Sequence, residues 1–353
     1  MNVVVKIGTS SITDDDGRIE RGSVAKIAAD IVDSRAAGHD IVVVSSGAIA
    51  AGLPAMGLTA RDRPRDPRTL QAVSAVGQAH LMGTWNDCFG AHDTVAGQVL
   101  LVPDDFNRRS TYLQARATLA RLTELGVVPI INENDAIADD EIRIGDNDRI
   151  AALVAHLIRA DLLVLLTDAP GLLTADPRID DSASLIEDVI EVDHELEALA
   201  GGSGSNRGSG GMATKLAAAK IATWSGVRTV IARAGRPDVI ADAIGGVQGV
   251  GTIFRPAGRR LSARKVWIAF AVGAAGSVHV DAGARSAVLS DKSLLAPGIR
   301  KVEGEFRRGD AVEIVGPGGD VFGKGTVRFD AAQLSSGVDR GVAVHKDDLV
   351  LLS

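Results

Sequence analysis

The sequence predicts a layered α/β sandwich with a mainly parallel central sheet, followed by a small, mainly β domain. Three observations carry this: short aliphatic runs recur through the first two thirds of the 353 residues, helical patterns fill the gaps between them, and the pattern changes after a basic, proline- and glycine-containing stretch near residue 255. Strands buried on both faces of a parallel sheet read as continuous apolar runs, and their alternation with helices gives βαβ units.

The first run, 3–5, precedes a helical pattern in which Val24, Ile27, Ala28, Ile31 and Val32 share one face, with Gly38 placed to end the helix as its C′ residue. Further strands are expected at 41–44, 127–131, 162–166 and 227–232, a helix over 149–158, and an alanine-rich helix beginning at about Lys215. Beyond 255–270, short runs at 277–280, 311–315 and 341–345 alternate with turn signals such as 316–319. The expected organisation is a first domain over 1–258, a linker over 259–269 and a second domain over 270–353.

Composition narrows the functional classes. With 46% hydrophobic, 24% charged and only 3% aromatic residues, the chain builds an aliphatic, alanine-rich core and has nothing of a disordered or fibrous protein. A net charge of −7 argues against binding nucleic acid or anionic membrane through the whole surface, so a phosphate site must be local. Cys88 is the lone cysteine, which rules out an intrachain disulfide, and the seven histidines show no zinc spacing. No segment reads as a signal peptide or membrane span, and a cytoplasmic location is expected.

Each expected strand of the first domain runs into polar or glycine residues, and in open α/β sheets ligands bind beyond the carboxyl ends of the strands. Lys6, followed by Gly8 and hydroxyls, fits either a structural ion pair or a phosphate contact. Ser46 and Gly47 open an alanine-rich segment, as an N-cap or as an anion site. Asn132, Glu133, Asn134 and Asp135 suit an ammonium group or an Asx turn. Gly145, Asp146, Asn147 and Asp148 put two carboxylates and an amide ahead of a helix, more than a capping turn needs. The glycine-rich stretch 201–215 ends on Lys215 at a helix start and fits a phosphate loop or a linker, while its spacing departs from the Walker A pattern. Two lysines, nearby carboxylates and glycines allowing close approach make up a phosphoryl-transfer set.

These segments resemble the amino acid kinase family. VVVKIGTSSIT, IVVVSSGAIAAG, PIINENDA, GDND, LLTDAPGLLTADPR and SGGMATKL are similar to its motifs in the family's order, and the match runs nearly end to end. GSVHVDAGARSAV and SLLAPGIRKVEGEFRRGDAVEIV are similar to the small PUA-like barrel fused behind the branch that phosphorylates L-glutamate; the N-acetylglutamate and uridylate kinases usually lack it. The resemblance implies transfer of a phosphoryl group from ATP, with Mg²⁺ bridging the phosphates, to the γ-carboxylate of glutamate as the first step of proline synthesis. Lys6 and Lys215 would stabilise the transferring group and Asp148 would organise them. Ser46, Gly47, Asn132, Asp135 and Asn147 would bind glutamate. Lys6, Gly8, Thr167, Asp168, Ser209, Gly210, Gly211, Met212, Ala213, Thr214 and Lys215 would contact ATP; no metal ligands are assigned. Feedback inhibition by proline, a homotetramer or dimer, and functional coupling to glutamyl phosphate reductase are further implications. The alternatives are another acceptor (N-acetylglutamate, aspartate or UMP), a catalytically silent relative, or RNA binding through the second domain. The last is disfavoured because residues 271–353 carry ten basic and eleven acidic side chains, a net −1.

Overall fold

The computed structural model describes all residues except 107, 139–146, 178, 201–210, 259, 339 and 353. The chain divides into two compact units, Met1–Arg260 and Leu261–Ser353.

Among the described residues the first unit holds strands β1 (Asn2–Ile7), β2 (Asp40–Ser45), β3 (Ala96–Leu101), β4 (Val128–Glu133), β5 (Leu162–Thr167), β6 (Asp188–Val189), β7 (Arg228–Arg233) and β8 (Gly251–Phe254), in the sheet order β3-β4-β2-β1-β5-β7-β8-β6. Every neighbouring pair is parallel except β7 with β8. The carboxyl ends of β1, β2, β4 and β5 therefore lie along one edge, which gathers the polar strand ends.

Its helices are α1 (Arg21–Ala36), α2 (Ala48–Ala55), α3 (Pro67–Gly90), α4 (Arg109–Glu124), α5 (Asn147–Leu157), α6 (His194–Ala200), α7 (Met212–Trp224) and α8 (Val239–Gly245). Val3, Val5 and Ile7 of β1 join Ile27 and Ile31 of α1 and Leu81, Trp85 and Phe89 of α3 in one buried apolar cluster. Successive strand residues face opposite sides of a sheet, so Lys6 stands on the other face, where α5 packs. Gly38 follows α1 at φ +87°, the left-handed conformation expected of a C′ glycine.

The expected strands lie within β1, β2, β4, β5 and β7 to within a residue at their starts. Helix α5 begins at Asn147, so Asn147 and Asp148 sit inside its first turn and not ahead of it, and Lys215 lies in the first turn of α7, which begins at Met212. Strands β3, β6 and β8 carry no such signal: β3 is an edge strand with only Leu101 buried, and the other two are short.

The second unit contains β9 (Gly276–Val280), β10 (Leu294–Leu295), β11 (Ile299–Gly304), β12 (Ala311–Val315), β13 (Val321–Val327) and β14 (Val342–Leu351), with α9 (Ala263–Val266), α10 (Ala282–Leu289) and α11 (Ala331–Ser335). The strands form a six-stranded sheet, β10-β14-β13-β12-β9-β11, antiparallel except for β9 with β12. Register shifts at bulges bend it around Val278, Ile314, Phe322 and Val344. Much of the stretch expected as a linker is part of this unit: α9 continues into a π-helical turn, Trp267–Ala271, and buries Val266 and Ile268. The basic and glycine residues before them hid this apolar anchor.

Candidate active site

Three elements bring charge to one point. Lys6 projects from β1, Asp148 from the first turn of α5 and Lys215 from the first turn of α7, and all three are buried. Lys6 Nζ lies 2.6 Å from Asp148 Oδ1, and Lys215 Nζ lies 3.3 Å from Asp148 Oδ2. The Thr214 hydroxyl donates to Asp148 Oδ2 at 2.7 Å and to the Gly211 carbonyl at 2.9 Å. Burial alone would push the Asp148 carboxyl up, but Lys6 and Lys215 outweigh it and hold the group well below the usual carboxylate range. Two ammonium groups around one carboxylate leave an excess positive charge, fixed in place before any ligand arrives.

The start of α7 adds neutral donors. Gly211 is its N-cap in extended conformation and has no side chain to cap it, so among the described residues no side-chain cap closes the first turn to an anion. Beside it, a cleft of about 480 Å³ is lined by Thr167, Asp168, Gly171, Met212, Lys215 and Arg233. The Thr167 hydroxyl donates to Asp168 Oδ1 at 3.0 Å. Gly8 follows β1, donates its N–H to the Leu166 carbonyl at 3.3 Å and keeps side-chain atoms away from Lys6 Nζ, 3.7 Å from where its Cβ would stand.

A second polar group forms where β4 ends. The Glu133 N–H donates to Asn132 Oδ1 at 2.9 Å and to Asn147 Oδ1 at 3.0 Å, linking the strand end to α5. Asn132 Nδ2 donates to Gln78 Oε1 at 2.7 Å, and the Ser74 hydroxyl donates to Asp135 Oδ2 at 2.6 Å. Asp135 is buried and its Oδ1 has no hydrogen-bond partner among the described residues. Burial pushes its carboxyl above the usual value, with Ser74 and then Arg63 opposing.

Ser74 and Gln78 belong to α3, which meets α2 backbone to backbone. A Cβ on Gly77 would stand 1.8 Å from the Ala48 carbonyl oxygen, and one on Gly52 would stand 2.1 Å from that of Val73. Helix α2 is preceded by its N-cap Gly47, whose φ of +111° excludes ordinary side chains, after buried Ser46. Ser45 is held by Trp85 Nε1, which donates to its hydroxyl at 3.0 Å.

The amino acid kinase family model matches residues 1–233, and a PUA domain model matches residues 276–347. The chain belongs to the amino acid kinase family. It is 43% identical to the glutamate 5-kinase of Geobacter sp. (strain M21) over 365 residues, covering 99% of this chain and 97% of that protein. It is 44% identical to glutamate 5-kinases of Deinococcus radiodurans, over all of both chains, and of Myxococcus xanthus, over 99% and 96%. Among solved structures it resembles the carbamate kinase from Giardia lamblia bound to AMP-PNP (TM-score 0.51, 19% identity, 72% of this chain and 98% of that one) and the UMP kinase from Bacillus anthracis (TM-score 0.50, 13% identity, 72% and 96%). At those identities the two structures speak for the amino acid kinase fold alone.

The motif residues of the sequence fall into two groups at one sheet edge: Lys6, Gly8, Asp148, Gly211, Thr214, Lys215, Thr167 and Asp168 around the charged centre and cleft, and Asn132, Asp135 and Asn147 around the end of β4. Ser46 and Gly47 lie where α2 begins. Met212 and Ala213 lie in the first turn of α7, whereas Ser209, Gly210, Gly145 and Asp146 fall outside the described residues. Sequence reading missed Ser74 and Gln78. The one signal was Gly77, a glycine inside a helix, where it costs about 1 kcal/mol unless close approach requires it.

Proposed function

We propose that this chain catalyses ATP-dependent phosphorylation of the γ-carboxylate of L-glutamate, giving L-glutamyl 5-phosphate and ADP, the first step of proline biosynthesis. The reading rests on the Lys6–Asp148–Lys215 centre beside the α7 N-terminus, in a chain similar over its whole length to glutamate 5-kinases.

The γ-carboxylate is ionised at neutral pH and attacks the terminal phosphorus directly, so no general base is needed. Lys6 and Lys215 take the negative charge that spreads over the phosphoryl oxygens, and Asp148 holds both ammonium groups in place. First-turn N–H groups of α7, with Gly211, Met212, Ala213 and Thr214, hold phosphate oxygens, while Thr167 and Asp168 line the nucleotide cleft. Asp135, Asn132, Asn147, Ser46 and Gly47 bind glutamate, with Asp135 Oδ1 open to its ammonium. The described residues present no cluster of three acidic, histidine or cysteine side chains for a metal. Mg²⁺ would suit this set as an ion held chiefly by phosphate and water, and would neutralise phosphate charge.

Proline inhibition at a site overlapping that of glutamate, a homotetramer or dimer, coupling to glutamyl phosphate reductase and a cytoplasmic location belong to the same reading. Among the described residues no helix is long and apolar enough to cross a membrane. The test is hydroxylamine trapping with ATP and Mg²⁺, offering glutamate, aspartate, N-acetylglutamate or no acceptor while ADP release is followed. Hydroxamate from glutamate alone is expected; turnover with a different acceptor would move the specificity, and silence from all would overturn the reading.

A further inference from the structure

The group around Asn132 and Asp135 contains a donor that none of the motifs supplies. The Glu133 backbone N–H can only donate, so the oxygen it meets on Asn132 is Oδ1, and the remaining Asn132 Nδ2 must donate to Gln78 through Oε1. The amide orientations, often ambiguous, are fixed here by this chain of bonds. What is left over is Gln78 Nε2, a buried donor with no hydrogen-bond partner among the described residues.

One helical turn earlier on α3, Ser74 holds Asp135 Oδ2 and leaves Asp135 Oδ1 as a buried acceptor with no partner among the described residues. Between the two, Gly77 seats this turn against the Ala48 carbonyl at the start of α2, which removes the freedom of Ser74 and Gln78 to drift. Buried polar atoms are normally paired, so an open acceptor and an open donor anchored on adjacent turns mark a ligand carrying a donor and an acceptor close together. An α-amino acid carries both on one carbon.

We propose that Gln78 is a specificity-determining residue, its Nε2 donating to the α-carboxylate of the acceptor amino acid while Asp135 Oδ1 receives the ammonium. This deepens the glutamate kinase reading and rests on it. The site then reads both α-substituents, while the side-chain carboxylate extends toward the lysines.

The test uses the full chain with Gln78→Glu, which keeps an acceptor for Asn132 but replaces the donor by a negative charge, and Gln78→Met, which removes both. Glutamate KM and kcat are measured by ADP release, together with competitive inhibition by 4-aminobutyrate, which is glutamate without its α-carboxylate, and by glutarate, which lacks the ammonium. Loss of a hydrogen bond to a charged group should raise glutamate KM about 10- to 100-fold, more for Gln78→Glu than for Gln78→Met, with kcat within about threefold. Glutarate inhibition should weaken by a similar factor, and 4-aminobutyrate inhibition and ATP KM should stay put, which also reports that the variants fold. An unimpaired Gln78→Glu would reduce Gln78 to a prop for Asn132 and overturn the proposal. So would an equal penalty on 4-aminobutyrate. Absence of glutamate-dependent hydroxamate in the unsubstituted enzyme would instead overturn the parent reading, and this one with it.

Discussion

The charged centre and the group around Asn132 and Asp135 lie along the same sheet edge but are built in opposite ways. Around Asp148, both carboxylate oxygens are engaged, Oδ1 by Lys6 and Oδ2 by Lys215 and Thr214. Around Asp135, one oxygen is held by Ser74 and the other is buried with no partner among the described residues. The first is a set of charges fixed in advance, as stabilisation of a transition state requires; the second leaves buried polar atoms unpaired among the described residues, the condition the proposed acceptor site needs. The pKa directions follow the same division. Two ammonium groups overcome burial at Asp148, whereas burial prevails over Ser74 and Arg63 at Asp135. Substitutions in the first should therefore strike turnover, and those in the second should strike acceptor binding.

The harshest way to break the contrast is Asp148→Asn, which removes the negative charge between two buried ammonium groups. Turnover should fall on the order of 10³-fold or more, and stability by about 3–5 kcal/mol, read from ADP release and denaturant unfolding. Because the Asp148 carboxyl is depressed in the folded protein, its stabilisation is complete above its unfolded value of 3.8 and is lost only as pH falls through the lower folded value. The variant should therefore lose that acid limb while remaining weaker than the parent at neutral pH.

Gly77→Ala comes next, since its Cβ would stand 1.8 Å from the Ala48 carbonyl oxygen and force α2 and α3 apart. A loss of about 3 kcal/mol is expected in chemical unfolding, with glutamate KM raised because Ser74 and Gln78 move with α3. Asp135→Asn should raise glutamate KM about 10- to 100-fold and leave kcat within severalfold, which steady-state kinetics will separate. The smallest effect belongs to Ser74→Ala, about 1 kcal/mol of binding, but it carries a directional signature. Asp135 must be ionised to take an ammonium, so kcat/KM for glutamate should fall as pH drops through a value above 3.8. Removing the Ser74 hydroxyl, which lowers that value, should shift the acid limb upward in the pH profile.

The sequence made the centre of the sheet legible because β1, β2, β4 and β5 are buried on both faces and read as unbroken aliphatic runs. It made Lys6 legible because a polar residue that interrupts such a run stands out, Asp148 because it closes the polar cluster 145–148, and Lys215 because it ends the glycine-rich stretch 201–215. Strand β3 did not stand out, since an edge strand with glycine, glutamine and a single buried leucine has no periodic signature. Ser74 and Gln78 were hidden for a different reason. They are ordinary polar residues on a helix far from any strand end, and only the crossing at Gly52 and Gly77 brings them to Asp135 and Asn132. The helical anchor at Val266 and Ile268 was hidden likewise, because two apolar residues beside a basic stretch do not reveal what they pack against.

Lys215→Ala tests the division most directly, with kcat and glutamate KM determined separately on protein shown to be folded. If the charged centre acts on the transition state and the neighbouring group on acceptor binding, kcat should fall on the order of 10³-fold while glutamate KM changes less than about fivefold. A kcat close to that of the parent, or a loss confined to KM, would contradict the account.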